Sequence, residues 1–467
     1  MQASIFNVCV PLPARDEVFL MNTLTDAQFV VSSDVAALLA RGDLDQANLD
    51  GDEIRDALAL LNDNGFLVPN REHDRRALDT YMTRVTSDAS ELHITLLTTL
   101  QCNFACDYCF QGDHGDYNKF AEKMSLETAQ KVGDWVEREL ERIAPERLTM
   151  QFFGGEPLLN LPVLYYLSER LSASSQALGV KMAITIITIG LLMTPEVVDR
   201  LLPLGLKGIK ITLDGDRDTH NRMRPLRGGQ GTFDRIVENV RRVADRVAIA
   251  IGGNFDESSV DSFPALLDFL KEQEFADKLV GVNFKPVVRE MGAAAKPKGI
   301  LSLTPVNHDG KPLGGSCMTA AGEGSGSACG TCNLTDKMTF LREETKLRGL
   351  PTPDGIHNGP CHVHMKHAHT IGTDGSLYAC AGFTGDKTQS TGHIDDRREA
   401  WRESALDRFE RLHPWKECGD CAFIPVCAGG CVAASHMEHG DMNMPSCHKS
   451  SFAAAVVSLA HDVASAA

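Results

Sequence analysis

The chain has 467 residues, 43% hydrophobic and 23% charged, which is long enough for about three domains and ordinary enough to exclude a disordered or fibrous protein. Lys and Arg number 46 against 63 Asp and Glu, and the formal charge of -17 repels a phosphate backbone, which favours a small molecule or peptide over nucleic acid as partner. The longest apolar run, Met182 to Met193, is too short to cross a bilayer, and no basic region with an apolar stretch and cleavage site opens the sequence, so no membrane partner is expected and a cytoplasmic location is.

Residues 1–85 read as a small separate domain. Short β-type stretches at Ile5 to Val10, Val18 to Leu20 and Gln28 to Val31 precede helical patterns at Asp34 to Leu39 and Glu53 to Leu61; Asn64-Gly65 ends the second helix and a strand restarts after it. Cys9, in an alternating apolar stretch, is expected to be a packed core thiol. From residue 91 the pattern alternates. Apolar strands begin at 91, 147, 181, 206, 246 and 279, separated by helical patterns at Ser125 to Ile143, Leu161 to Leu178, Pro195 to Leu202, Phe233 to Val243 and Val260 to Lys271. Such alternation predicts an α/β fold over 91–290, a parallel sheet with right-handed crossovers curled into a partial barrel, with ligands at the carboxyl ends of its strands. Residues 291–360, rich in Gly, Ser and Ala, read as a loop or bridging segment, and 361–467 as a cysteine-rich domain closed by an apolar helix at 450–464.

Fourteen cysteines in a reducing compartment are poor disulfide candidates and better metal ligands. Cys102, Cys106 and Cys109 follow the first barrel strand as C-x3-C-x2-C. Structural zinc sites close with four ligands and nothing nearby completes this one, whereas a four-iron cluster held by three cysteines keeps one iron open. Seven more cysteines run Cys361-x13-Gly375-x4-Cys380, then Cys418-x2-Cys421-x5-Cys427-x3-Cys431, then Cys447, with zinc knuckles the competing reading of the paired ones. Cys317, Cys329 and Cys332 stay open between a cluster ligand, a hydrogen donor and a small zinc site.

In its context, TLQCNFACDYCF, the first cysteine loop resembles the signature of the radical SAM superfamily, whose open iron chelates the amino and carboxylate groups of S-adenosylmethionine (SAM). Gly154-Gly155-Glu156-Pro157, after the second strand, resembles the motif that holds the methionyl ammonium: paired glycines admit close backbone approach and a carboxylate accepts from an ammonium. Tyr108 takes the aromatic position before the third cysteine, which the resemblance sets beside adenine. Thr188-Ile189-Gly190 departs from the family's Thr-Asn-Gly, keeping Thr188 but losing the polar contacts of an Asn. The segment ITLDGDRDTHNRMRPLRGGQGTF resembles one found in peptide-modifying members and contributes Asp214, His220 and Arg224, the last a candidate partner for the SAM carboxylate or for local acids.

The seven C-terminal cysteines resemble a SPASM domain. That implies one auxiliary 4Fe-4S cluster on Cys418, Cys421, Cys427 and Cys447 and another on Cys361, Cys380 and Cys431, three clusters in all. The second auxiliary group lacks a fourth thiolate, and His362, His364, His367, His369, a cysteine from 317–332 or the substrate are the candidates to complete it. Residues 1–85 resemble the winged-helix peptide-recognition element of such enzymes. The resemblance implies reductive cleavage of SAM to methionine and a 5'-deoxyadenosyl radical, hydrogen abstraction from a ribosomally made precursor peptide, and oxidation through the auxiliary clusters to a thioether, carbon-carbon or ether crosslink. A reductant such as flavodoxin or ferredoxin is the implied electron source. Alternatives are oxidation of a side chain in a folded protein, as in sulfatase-maturing relatives, and a non-catalytic iron-sulfur or zinc protein.

Overall fold

The computed structural model describes residues 1–12, 14–41, 52–109, 121–287, 330–352, 356, 359–396 and 411–466. Its N-terminal part comprises β1 (Gln2–Ala3), β2 (Asn7–Leu12), β3 (Glu17–Asn22), β4 (Gln28–Ser32), α1 (Ser33–Ala40), α2 (Asp52–Asp63), β5 (Leu67–Val68) and α3 (Arg71–Thr86). Strands β2, β3 and β4 form an antiparallel sheet, and β1 pairs with β5. Alternation along β3 sends Leu20 to one face, against Leu39, Leu58 and Leu61, and Phe19 and Met21 to the other. Cys9 lies opposite Leu20 in the register, yet it is exposed, because β2 is the edge strand and the helices that bury Leu20 do not cover it. The packed-thiol expectation is thereby corrected.

Sequence periodicity missed α3 because its buried face is mixed: Leu78 and Met82 share it with Asp74. Asp74 is buried without apolar character because it accepts from Ser4 Oγ and from the Ile5 N–H, each at 2.8 Å.

The central sheet follows the predicted alternation. Its elements are β6 (Glu91–Thr99), α4 (Leu126–Ile143), β7 (Arg147–Gly154), α5 (Leu161–Ala177), β8 (Lys181–Thr188), α6 (Pro195–Leu201), β9 (Leu206–Thr212), α7 (Arg217–Met223), α8 (Phe233–Val243), β10 (Ala248–Phe255), α9 (Phe263–Lys271) and β11 (Leu279–Pro286). All five pairings from β6 to β11 are parallel. Local chemistry sets the helix starts: Ser125 accepts from the Thr128 N–H to cap α4, Asp216 accepts from the Thr219 N–H to cap α7, and α6 begins at Pro195. One row of each strand, such as Leu148, Met150 and Phe152 of β7, is buried in the core with the helices, while the alternate row, such as Thr149 and Gln151, is only half-buried.

The C-terminal part adds α10 (Gly330–Leu347), β12 (Ala368–Ile371), β13 (Ser376–Tyr378), β14 (Ser390–His393), α11 (Val432–His439) and α12 (Lys449–Ala466). The stretch read as a loop therefore contains a helix, whose Leu341 joins the main core together with Leu350 beyond its end. Strand β12 pairs parallel with β6, so the central sheet runs to nine strands in the order β11-β10-β9-β8-β7-β6-β12-β13-β14. Helix α12 contributes Val456 and Ala460 to the core formed with Phe19 and Met21 of the N-terminal sheet. Among the described residues, no helix is long and apolar enough to cross a membrane.

Candidate functional site

The first cysteine loop leaves the carboxyl end of β6 and is fixed from two sides. On one side, the Gly155 N–H donates to Thr99 O and the Glu156 N–H to Gln101 O, both at 2.9 Å. Glycine is required there: a Cβ on Gly154, whose φ is +130°, would stand 2.2 Å from Thr99 O, and one on Gly155 would stand 2.3 Å from Gln101 O. On the other side, the Ala105 N–H donates to Pro225 O at 2.9 Å, the Arg227 N–H to Asn103 O at 3.1 Å, and Arg227 Nε to Cys102 O at 3.0 Å. The three thiols of Cys102, Cys106 and Cys109 are thus carried on one clamped loop, and Cys109 is exposed. Burial pushes the Cys102 thiol up to about 12 and the Cys106 thiol up to about 11.

Glu156 is fully buried, and its carboxylate is taken by internal donors. Oε1 accepts from the Leu158 N–H at 2.9 Å, Oε2 accepts from the Ile189 N–H at 2.9 Å, and the Thr188 hydroxyl reaches both oxygens at 2.8 Å. The side chain is therefore a strap from the end of β7 to the end of β8, and Pro157 opens the turn behind it. At Ile189 the backbone N–H supplies the polar contact, while the side chain packs in the core.

Tyr108, Asp214 and Arg224 converge. The Tyr108 hydroxyl donates to Asp214 Oδ2 and accepts from Arg224 Nη1 at 3.1 Å; Arg224 and Asp214 form an ion pair at 3.5 Å. Burial pushes the Tyr108 phenol above its ordinary value, so it keeps the proton it donates. Asp214 Oδ1 also accepts from the Asn254 N–H at 2.6 Å. His220 stands behind this group. Burial, with Arg224 nearby, holds it well below its ordinary value. Its Nδ1 accepts from the Asp214 N–H at 3.1 Å, which leaves Nε2 to donate to Thr232 Oγ1, whose own hydrogen goes to Arg224 O at 2.9 Å. Arg224 Nε is buried with no hydrogen-bond partner among the described residues.

The C-terminal cysteines fall into two neighbourhoods. Burial pushes Cys427 up to about 12 and Cys418 up to about 11; the charges of Cys421 and Cys447 raise both further, joined by Cys418 at Cys427 and by Glu417 at Cys418. Burial likewise raises Cys361 and brings Cys380 up to about 11, with the charge of Cys431 acting on both. Among the described residues, no three His, Cys, Asp or Glu side chains gather closely enough to hold one metal ion. Zn–S bonds of about 2.3 Å would draw the thiols of a zinc site within about 4 Å of one another. The donors on these loops are thiols, the ligand type that iron-sulfur clusters take. Cys317 and Cys329 lie outside the described residues, as does the side chain of Cys332.

Two of the four histidines proposed to complete the three-cysteine group pack on tryptophans. His364 packs edge-on against Trp415 and His369 against Trp135, at 5.3 and 5.4 Å between ring centroids. The His362 ring lies against that of His93, tilted by 40°, with centroids 4.0 Å apart. Sequence reasoning missed His448, whose Cδ2 would lie 3.3 Å from a Cβ on Gly430, the residue before Cys431. It also missed Asn254 and the lysines of β9 and β11. The signal for the lysines was present as charged residues within otherwise apolar strands.

The family model described as the Radical SAM superfamily matches residues 96–269. The chain is 26% identical over 170 residues to the radical SAM cyclopropyl synthase TigE of Paramaledivibacter caminithermalis, covering 33% of this chain and 34% of that protein. It is 33% identical over 153 residues to a GTP 3',8-cyclase of Synechococcus, covering 32% and 41%. The match thus spans less than half of these curated relatives. Among solved structures, native anSMEcpe with bound AdoMet superimposes with a TM-score of 0.55 at 18% identity, over 80% of this chain and 99% of that one. Native anSMEcpe with AdoMet and the Cp18Cys peptide gives 0.53 at 19%, over 80% and 98%. These likenesses show a shared fold. The cysteine loop, the glycine strap and the strands from β7 to β10 lie inside the matched stretch, and residues 96–269 form a radical SAM domain.

Proposed function

We propose that this chain is a SAM-dependent radical enzyme that oxidatively modifies a ribosomally made precursor peptide, forming an intramolecular crosslink. The observation that carries the reading is the three-thiol loop at the carboxyl end of β6, held there by the Gly154-Gly155 strap and by the 225–227 backbone. Cys102, Cys106 and Cys109 would hold a 4Fe-4S cluster, which with bound SAM supplies, on reduction, a 5'-deoxyadenosyl radical able to take hydrogen from an unactivated C–H bond. The chain's own residues do the placing. Gly154 and Gly155 let the strap close against the end of β6, and Tyr108, Asp214 and Arg224 hold one another rigid beside the loop. Arg224 Nε is the buried donor left over for an anionic group such as the SAM carboxylate.

Cys418, Cys421, Cys427 and Cys447 would hold a second cluster and Cys361, Cys380 and Cys431 a third, in a SPASM-type segment over 361–467 that accepts the electrons of the oxidised substrate. Residues 1–85 would grip the leader of the precursor, and a flavodoxin or ferredoxin would supply electrons.

The test is anaerobic reconstitution with iron and sulfide, reduction by dithionite, and quantification of 5'-deoxyadenosine. Wild type should form it, and the variant with Cys102, Cys106 and Cys109 all changed to Ala should not. No deoxyadenosine from iron-loaded wild type would overturn the radical reading.

A further inference from the structure

The inward row of the barrel strands carries two cations that no acid among the described residues answers. Lys210 of β9 is half-buried, and its stem lies along the wall over Gly252 of β10, where a Cβ would stand 2.6 Å from Lys210 Cε and 3.5 Å from Nζ. The register sets Lys210 beside Ala250, and Lys285, at the end of β11, beside Asn254. Burial and the Lys285 charge together hold Lys210 down to about 8. Among the described residues, neither lysine has an ion-pair or hydrogen-bond partner, and no carboxylate acts on Lys210. Lys210 is half-buried and Lys285 exposed, and an anion reaching both would offset the hydration that Lys210 loses and the repulsion between the two charges.

The position of the pair narrows what the anion is. Asn254 Nδ2 lies 3.5 Å from the Tyr108 hydroxyl, so the Lys285 level of the wall adjoins the Tyr108–Asp214–Arg224 group. Lys285 is thus placed on the wall next to the group beside the first cysteine loop, where the reading above requires the peptide to lie.

We propose that Lys210 and Lys285 bind a carboxylate of the peptide substrate, from an Asp or Glu side chain or from a chain terminus, and so fix which residue is presented for oxidation. The assignment rests on the peptide-modifying reading for its substrate but on the barrel wall for its chemistry. Charge-assisted contacts from two ammonium groups discriminate a carboxylate from its amide.

The test uses the full-length, cluster-loaded protein and three probes: acetyl-Glu-methylamide, acetyl-Gln with a free terminal carboxylate, and acetyl-Gln-methylamide with none. Binding is read from relaxation of the probes' acetyl methyl protons. One or both acids should bind at least about tenfold tighter than the doubly blocked amide, and which acid does so identifies the source. Lys210→Gln and Lys285→Gln should abolish that preference and Lys210→Arg should keep it, with iron content and SAM affinity as in wild type. Equal binding of all three probes, an undiminished preference in the Gln variants, or a loss confined to SAM affinity would overturn the proposal. Deoxyadenosine is measured in the same samples without probe; its absence would remove the radical reading and leave the carboxylate result standing.

Discussion

Glu156 separates a strap from a ligand. If the side chain were placed to receive a ligand ammonium, neutralising it would matter only once ligand is bound. The structure instead spends both oxygens on the Leu158 and Ile189 N–H groups and the Thr188 hydroxyl. In Glu156→Gln, one oxygen becomes an NH2 that faces a buried N–H donor. A lost hydrogen bond to a charged group is worth about 1.5–3 kcal/mol, and an unsatisfied buried donor about 1–3 kcal/mol more. Burial already pushes the Glu156 carboxyl up, so the neutral amide recovers part of this loss. A net destabilisation of about 2 kcal/mol follows, which for a domain of this size lowers the melting midpoint by roughly 4–8 °C. The assay is scanning calorimetry of the SAM-free protein, with hydrogen exchange read on the peptide spanning 184–190. A variant that melts within about 1 °C of wild type without SAM, with unchanged exchange at Ile189, would refute the strap.

Other expectations follow from the same geometry. Gly155→Ala puts a methyl group against two backbone carbonyls, Gln101 O and Leu100 O, and should displace the cysteine loop, lowering iron after reconstitution by about four per chain. Tyr108→Phe removes the hydroxyl that ties Asp214 to Arg224 and should cost about 1–2 kcal/mol in denaturant unfolding while leaving the ion pair in place. Cys418→Ala and Cys361→Ala should each remove about four irons, and the double variant about eight, if the two neighbourhoods are independent; equal losses in single and double variants would merge them. Because burial raises Cys102, Cys106 and Cys427 above the ordinary thiol value of 9.0, their neutral forms stabilise the iron-free fold below about pH 9, and that stability is lost as pH rises toward 11–12. The melting midpoint of the iron-free protein should therefore fall between pH 8 and 10, and cluster assembly, which needs thiolates, should be faster at the higher pH.

The alternation of apolar strands and amphipathic helices made the barrel legible, since every predicted strand from 91 to 288 lies within two or three residues of its place. The grouping of Cys418, Cys421, Cys427 and Cys447 comes from the SPASM resemblance, since spacing alone does not say which thiols share a cluster. What stayed hidden depends on three-dimensional context. The α3 helix hides because a hydrogen-bonded Asp74 occupies its buried face, and β12 because a four-residue strand, Ala368–Ile371, is too short for periodicity to mark. Cys9 was misplaced because alternation gives a side chain's face but not whether another element covers that face. The motif marks Glu156 as a candidate ligand, and only the structure shows that both of its oxygens accept from Leu158, Thr188 and Ile189.

The short strand β12 matters beyond its length. It pairs in parallel register with His93 to Leu96 of β6, and the His93 N–H donates to His367 O at 2.9 Å just before it. Cys361 lies one short turn upstream of β12, and Cys102 lies three residues beyond the end of β6. One strand of the sheet thus carries the first cysteine loop at its end and the three-cysteine segment along its side. The separation of the two groups is set by a backbone ladder, which side-chain repacking cannot stretch. If the peptide is oxidised between them, that fixed span is what lets one carboxylate contact on the barrel wall determine which of its C–H bonds comes within reach.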